Sequence, residues 1–381
     1  MEGDEAMTAD RSHGEHAASG PPHEGGMFAL VRTMAERAAP IGHEEEFNRW
    51  LAARWSPWLT SAEVTRVGNF VGHVGGRGPR VLLLAHSDEI GFAVRAIDEQ
   101  GFIWIASGQR DPASRPFQRG PYFLPLGHPA LVLGESGPVE GVFATATGHV
   151  LSAQQQEQYR LEWRDVFVDI GAASRDEIES LGITIGSRVI WNPPTRRRGP
   201  VYYGKAMDNR ATLAIFEALL ASLDREALTC DLWVASTVME EMGTIGAASV
   251  NREVQAEYAI AVDVGLSGDI PTVNPLDVPT RLGAGPIIVQ KDLTSYTRGL
   301  TRAIEAAARD AGIPFQRAVF NLYGSDAGEL IKQGVASALI AFPTRYTHSP
   351  FEMVHEADLE ACVQLLRAVV TNQYWVYRER G

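Results

Sequence analysis

Cysteine is nearly absent: Cys230 and Cys362 are the only two in 381 residues. A chain of this length needs no disulfide to fold, so the scarcity fits a reducing cytoplasm better than a stapled, secreted scaffold. Long apolar runs are missing too. Stretches such as Val81 to Ala85 fall far short of the roughly 20 residues that a bilayer-spanning helix needs. The first residues contain no apolar core of the signal-peptide kind, and nothing there directs export. Positive charge is in deficit, with Lys+Arg 34 against Asp+Glu 47 and a net charge of −13. That balance argues against a nucleic-acid backbone or an anionic membrane as the partner. Residues 1–26 lack any aromatic residue and any Leu, Ile or Val. Such a segment cannot bury enough apolar surface to offset ordering. It reads as a solvated, disordered tail rather than a metal trap built on His13, His16 and His23.

What remains has an ordinary globular composition, 45% hydrophobic and 21% charged. Phe28, Leu30, Val31, Met34 and Ala38 recur at helical spacing until Pro40-Ile41-Gly42 ends the helix. A second helix carries Phe47, Trp50, Leu51 and Trp55 along one face. Short β-like runs follow at 62–66, 70–74 and 81–85, the last continuously apolar, as in a strand covered on both faces. Similar runs return at 232–236, 259–264 and 338–342, separated by helical stretches at 211–223, 296–311 and 326–333, with a final helix from about Ala357 through Val369. The alternation predicts an α/β fold: a mixed, largely parallel sheet sandwiched by helices. Residues 93–198 differ, with short alternating segments punctuated by Gly and Pro, and predict an inserted β-rich, barrel-like domain. Within it Ser174 to Glu177 looks like a capping box. One α/β domain, 27–92 and 199–381, is thus interrupted by the insertion.

Ligands in open α/β sheets gather beyond the carboxyl ends of the strands. After 81–85 come His86 and Asp88; after 232–236, Glu240 and Glu241; after 259–262, Asp263; after 338–342, a loop with His348. Asp208 opens the helix that follows the insertion. Singly each has a bland explanation, as a hydrogen-bonded histidine, a solvated loop or a turn cap. Together the seven exceed what one metal needs and fit two metals sharing a carboxylate, with one Glu left as base. Asp88 is placed to fix the tautomer of His86. Neighbouring Glu240 and Glu241 on an extended loop would point to different sides. Other motifs fail. Gly199 to Ala206 is one residue short of a phosphate loop and carries Ala206 where a hydroxyl would hold magnesium. No G-x-S-x-G elbow accompanies Ser87 or Ser349. The basic run Thr195 to Arg198 reads as a solvated loop, and the two cysteines as core residues.

The segments Ala85-His86-Ser87-Asp88-Glu89-Ile90-Gly91-Phe92, Gly204-Lys205-Ala206-Met207-Asp208-Asn209-Arg210, Met239-Glu240-Glu241-Met242-Gly243, Ala261-Val262-Asp263 and Arg345-Tyr346-Thr347-His348-Ser349-Pro350 resemble the glutamyl aminopeptidase family, the tetrahedral aminopeptidases. The similarity runs in order from about Phe28 to Ala368 and includes Val168 to Ala172 and Gly324 to Ala327. It implies a co-catalytic metallopeptidase that holds two divalent ions per subunit. Asp208 would bridge them, Glu241 and His348 would complete one site, and His86 and Asp263 the other. Glu240 would be the general base and acid, and Asp88 would orient His86. The resemblance also implies peptide substrates and a homo-oligomer, often a hollow dodecamer, with a dimerisation domain where the insertion lies. Trp104 to Gly127, Thr145 to His149 and the tail depart from the family pattern.

The expected function is therefore a metal-dependent aminopeptidase releasing N-terminal residues from peptides, with zinc, cobalt or manganese suited to the mixed ligands. A related dinuclear carboxypeptidase or deacylase would keep His86, Asp208 and Glu240-Glu241, but Asp208-Asn209-Arg210 and Asp88-Glu89-Ile90-Gly91 favour the aminopeptidase. A glycosidase would not need His86 and His348. A non-enzymatic assembly or binding protein would be expected to have lost a ligand. Trp104, Phe117, Tyr122 and Phe123 supply apolar surface for homo-oligomer contacts through the insertion.

Overall fold

The computed structural model describes residues 25–107, 125–158, 165–321, 323–372 and 375. The chain starts with helices α1 (Gly26–Ala35) and α2 (Glu45–Trp55) and strands β1 (Ser61–Val64), β2 (Phe70–Gly75) and β3 (Arg80–His86). It then leaves the sheet for β4 (Gly91–Ile97), β5 (Ile103–Ser107), β6 (Pro129–Gly134), β7 (Gly137–Ala144), α3 (Ala153–Gln158), β8 (Phe167–Asp169), α4 (Arg175–Ser180) and β9 (Arg188–Trp191). It returns through β10 (Arg196–Arg198), β11 (Val201–Gly204), α5 (Met207–Ser222), β12 (Asp231–Thr237), α6 (Ala247–Val254) and β13 (Tyr258–Leu266). Last come β14 (Ile287–Lys291), α7 (Arg298–Asp310), β15 (Gln316–Val319), α8 (Asp326–Lys332), β16 (Ala336–Arg345), β17 (Glu352–His355) and α9 (Glu356–Thr371).

Eleven strands form one mixed sheet in the order β1-β2-β12-β3-β13-β16-β17-β11-β10, with β14 and β15 added beside β16. The centre, β12-β3-β13-β16, is parallel. Its margins are antiparallel, apart from the parallel pair β14 and β15. Side chains alternate across the strands, and the two faces fill separate cores. Val81, Leu83 and Ala85 pack with residues of α1, α2, α5, α7 and α9, while Leu82 and Leu84 pack with α6 and α8. Each buried Leu contributes roughly 1.5–3 kcal/mol, so a continuously apolar strand is most stable where both its faces are covered. Leu83→Ala would leave a cavity in this core at a cost of about 2–5 kcal/mol.

The second sheet closes on itself in the order β4-β5-β8-β7-β6-β9. Phe92, Phe143 and Trp191 meet edge-on in its core. Ser174 caps α4 by accepting from the Glu177 N–H, while the Glu177 carboxylate accepts from Ala173 N. Trp104 is half-buried, donating to Asp98 and packing on Phe167. Phe117, Tyr122 and Phe123 lie outside the described residues, as do His13, His16 and His23. The basic run expected as a loop is an exposed edge strand, β10, paired to β11. Three arginines in a row discourage further strand addition there. Among the described residues no helix is long and apolar enough to cross a membrane.

Candidate metal centre

The parallel strands β3 and β13 deliver His86 and Asp263 at or near their carboxyl ends. Asp208 sits in the first turn of α5, where the backbone of Asp208 and Asn209 is not yet helical. His348 lies in the loop between β16 and β17, and Glu241 in the turn after β12. These five side chains form two groups that share Asp208, buried except for the half-buried His348: His86, Asp208 and Asp263 in one, Asp208, Glu241 and His348 in the other. His86 Nε2 is 3.0 Å from Asp208 Oδ1 and 3.8 Å from Asp263 Oδ1. His348 Nε2 is 3.4 Å from Asp208 Oδ2 and 3.4 Å from Glu241 Oε1. Ligands about 2.0–2.1 Å from a tetrahedral cation are about 3.3 Å apart, so each group has the spacing of a cation's coordination edge. One Asp208 oxygen serves each group. The residues present in each group therefore fit a divalent cation.

Glu240 and Glu241 do not sit on an extended loop. Met239 adopts φ 53°, and Gly243 and Thr244 donate to Glu240 O, closing a tight turn. Four successive backbone amides of this turn end on buried side chains. Val238 N donates to Asn69 Oδ1 at 3.1 Å, and Met239 N to Glu44 Oε1 at 3.0 Å. Glu240 N and Glu241 N donate to Asp88 Oδ1 and Oδ2, each at 3.0 Å. Gly246 backs the turn so closely that a Cβ there would lie 2.4 Å from Asn69 Oδ1. Asp88 thus does more than the expected task. Its carboxylate is 3.4 Å from His86 Nδ1, yet the 3.2 Å contact to that nitrogen comes from its backbone carbonyl.

Among the neighbours, Glu352 carries no sequence signal of its own, whereas Asp326, Arg210, Lys205 and Glu89 lie within the segments quoted above. Glu352 accepts from Asp208 N at 3.0 Å and His348 N at 2.7 Å, fixing the backbone of two candidate ligands. Asp326 is bonded to Thr237 Oγ1, and its other oxygen accepts no hydrogen bond from the described residues. Arg210 donates to the carbonyls of Ser87, Met34 and Arg37 and stacks 4.0 Å over Phe47. Lys205 and Glu89 form a buried pair at 2.6 Å. Ala206, Met239, Tyr346 and His348 all have positive φ. Non-glycine residues held there cost about 1–3 kcal/mol each and tend to cluster at working sites.

The electrostatics follow from crowding acids and imidazoles away from water. Burial pushes the Glu241 carboxyl up to about 7 against the pull of His348, with Asp208 adding to the rise. Burial likewise drives Glu240 and Asp263 well above the carboxylate range. Asp208 goes the other way: burial disfavours its charge, but bonds to His348 and His86 hold it well below the usual value. Burial would lower His348, yet Glu241 and Asp208 carry it to about 10. A cluster of this kind keeps protons where cations would otherwise balance the charge.

A family model for the M42 glutamyl aminopeptidases matches residues 68–365. The chain is 28% identical over 315 residues to a lysyl aminopeptidase of Pyrococcus furiosus, covering 81% of this chain and 86% of that protein. Its fold is similar to a TET aminopeptidase from the marine sediment archaeon Thaumarchaeota archaeon SCGC AB-539-E09, with a TM-score of 0.83, 26% identity, and 91% and 96% of the two chains covered. It is also similar to the TET1 peptidase of Pyrococcus horikoshii, which can assemble into a tetrahedron or a large octahedral shell, with a TM-score of 0.79, 25% identity and coverage of 90% and 99%.

Proposed function

The chain belongs to the M42 glutamyl aminopeptidase family and is an aminopeptidase, and on that premise we propose that it releases N-terminal residues from peptides with water activated at a dinuclear metal centre. The observation that carries this reading is Asp208, whose two oxygens face two separate imidazole–carboxylate groups. His86 and Asp263 would hold one ion, Glu241 and His348 the other, and the mixed donors suit zinc, cobalt or manganese. Ions held there would supply Lewis acidity, which would lower the pKa of water toward neutrality and favour a polarised carbonyl and a free α-amine as partners.

The chain's own residues do the rest. Glu240 takes the water's proton and passes it to the departing amine, a task suited to a carboxyl whose burial raises its proton affinity. Asp88 and Glu44 hold the turn that aims Glu240, and Glu352 holds Asp208 and His348 in register. The reading further takes 27–92 and 199–381 as the catalytic domain and 93–198 as the oligomerisation domain of a cytoplasmic homo-oligomer. Assembly of the similar TET1 peptidase supports that last part.

The test is hydrolysis of aminoacyl 4-nitroanilides before and after chelation, with zinc, cobalt or manganese added back, beside N-acetylated versions of each substrate. Chelation should abolish turnover, added metal should restore it, and blocked substrates should be inert. Undiminished turnover after chelation, or equal turnover of blocked substrates, refutes the mechanism. Light scattering checks assembly, and a particle of 41.5 kDa would refute it.

A further inference from the structure

We propose that Tyr323 is a positioning residue for the metal centre: its hydroxyl holds Val264, and through Val264 the carboxylate of Asp263, in the orientation that a cation shared with His86 and Asp208 requires. This rests on the metal-dependent reading above and adds to it a residue outside the candidate ligands.

The sheet divides where the site lies. β3 pairs with β12 as far as His86 and Thr237, and β13 pairs with β16 as far as Leu266 and Thr344. Between β3 and β13 the pairing stops earlier, at Leu84 and Ala261. His86 and Asp263 each stand two residues beyond that last shared pair, on opposite banks of the cleft that opens there. A strand that loses its neighbour leaves backbone groups that must find other partners. Val262 and Val264 are two apart, so their carbonyls point to the same side of β13, while β16 keeps its pairing along the strand. Val262 O accepts from Asn209 Nδ2 at 2.8 Å and from Thr212 Oγ1 at 3.2 Å, both on α5. Val264 O accepts from the Tyr323 hydroxyl. Side chains thus stand in for β3 along the edge it has vacated.

The Val264 bond reaches a candidate ligand. Val264 N donates to Asp263 Oδ1 at 2.7 Å, and that oxygen is the one 3.8 Å from His86 Nε2. The two backbone groups of one residue therefore connect Tyr323 to the carboxylate. Val264 is 1% and Asp263 5% exposed, so water is a poor substitute for either bond. Tyr323 is itself anchored: Leu293 N donates to its carbonyl at 2.9 Å, and its ring lies 5.5 Å from that of Phe320. Partners that orient a metal ligand in this way are worth about 10- to 100-fold in metal affinity. The bonds of Tyr323 all lie on the Asp263 side of the centre, so the ion held by Glu241 and His348 should not feel them.

The experiment challenges the full-length, cobalt-loaded enzyme with graded chelator and reads the metal retained by elemental analysis beside visible absorption. Wild type should hold two ions, one per group. Tyr323→Phe keeps the ring against Phe320 and removes only the donor to Val264 O. It should release one ion at about 10- to 100-fold less chelator and the other at the wild-type concentration, with a changed absorption for the weakened ion. Combined with His86→Ala, which takes a donor from the same group, it should cause no further loss of metal. Combined with His348→Ala, it should still weaken the ion that remains. Tyr296→Phe removes a neighbouring buried hydroxyl whose partners, Asp292 and Ser325, lie off β13, and it should release both ions as wild type does. Wild-type release of both ions by Tyr323→Phe would overturn the proposal. Equal weakening of the two, or the same loss in Tyr296→Phe, would also overturn it, because either would mean general loosening. A wild type that holds one ion would sink the dinuclear reading instead, and unchanged release of that ion in Tyr323→Phe would still overturn this one. A wild type that holds none would sink both.

Discussion

Asp88→Asn separates two roles that the wild-type carboxylate combines. The substitution keeps the shape and removes the charge. Asn can still accept one backbone N–H through Oδ1, but its Nδ2 then faces the other, donor against donor. One of the two 3.0 Å bonds to Glu240 N and Glu241 N is therefore lost. A buried hydrogen bond to a charged group is worth about 1.5–3 kcal/mol, so the turn loses roughly that much of its preference for one geometry. At about 1.4 kcal/mol per decade, kcat/KM should fall about 10- to 150-fold. Metal content should change little, because His86 Nδ1 keeps the Asp88 carbonyl oxygen at 3.2 Å as its acceptor. The assay is kcat/KM on one substrate at saturating metal, beside elemental analysis of the same sample. Activity within threefold of wild type would refute the turn-holding role. Loss of metal with an unchanged rate per bound pair would show that Asp88 acts through His86 alone.

Glu240→Gln should retain its metal and lose about 10²–10⁴-fold in turnover, the usual cost of losing general acid–base catalysis, whereas Glu241→Gln should lose metal and rate together. The opposite pattern of metal loss would exchange the two assignments. Metal uptake should strengthen as pH rises, since the metal-free site holds Glu241 at about 7 and His348 at about 10 and both must release protons to coordinate. Calorimetry in buffers of different ionisation enthalpy reads those protons, and pH-independent uptake between pH 6 and 8 would contradict this.

The sheet was legible because its central strands are buried on both faces and must be written in apolar letters: 81–85, 232–236, 259–264 and 338–342 become β3, β12, β13 and β16. Their carboxyl ends pointed to the candidate ligands for the same reason. Short marginal elements left no such trace. α6 has eight residues and no side-chain cap, and β14 and β15 are five and four residues long. Glu352 was illegible for a deeper reason. It bonds the backbone amide of Asp208, 144 positions away, and any residue other than proline would present the same N–H. Glu44, which holds Met239 N 195 positions away, hid in the same manner. Side chains that serve backbone amides depend on the fold alone, so no motif announces them.

The barrel joins the sheet through segments that also carry the site, and this leaves almost no slack between the two bodies. Only two residues, Glu89 and Ile90, separate Asp88 from the first barrel strand. At about 3.3–3.6 Å per residue they span about 7 Å when fully extended. On the return side the chain runs from Trp191 through the paired strands β10 and β11 to Lys205, which is bonded back to Glu89. Entry and exit are thus riveted to each other through that ion pair. A barrel transplanted from a relative would have to match both attachment points at once, and a tilt of a few ångströms at its rim would act as a lever on Asp88 and on the turn that Asp88 grips.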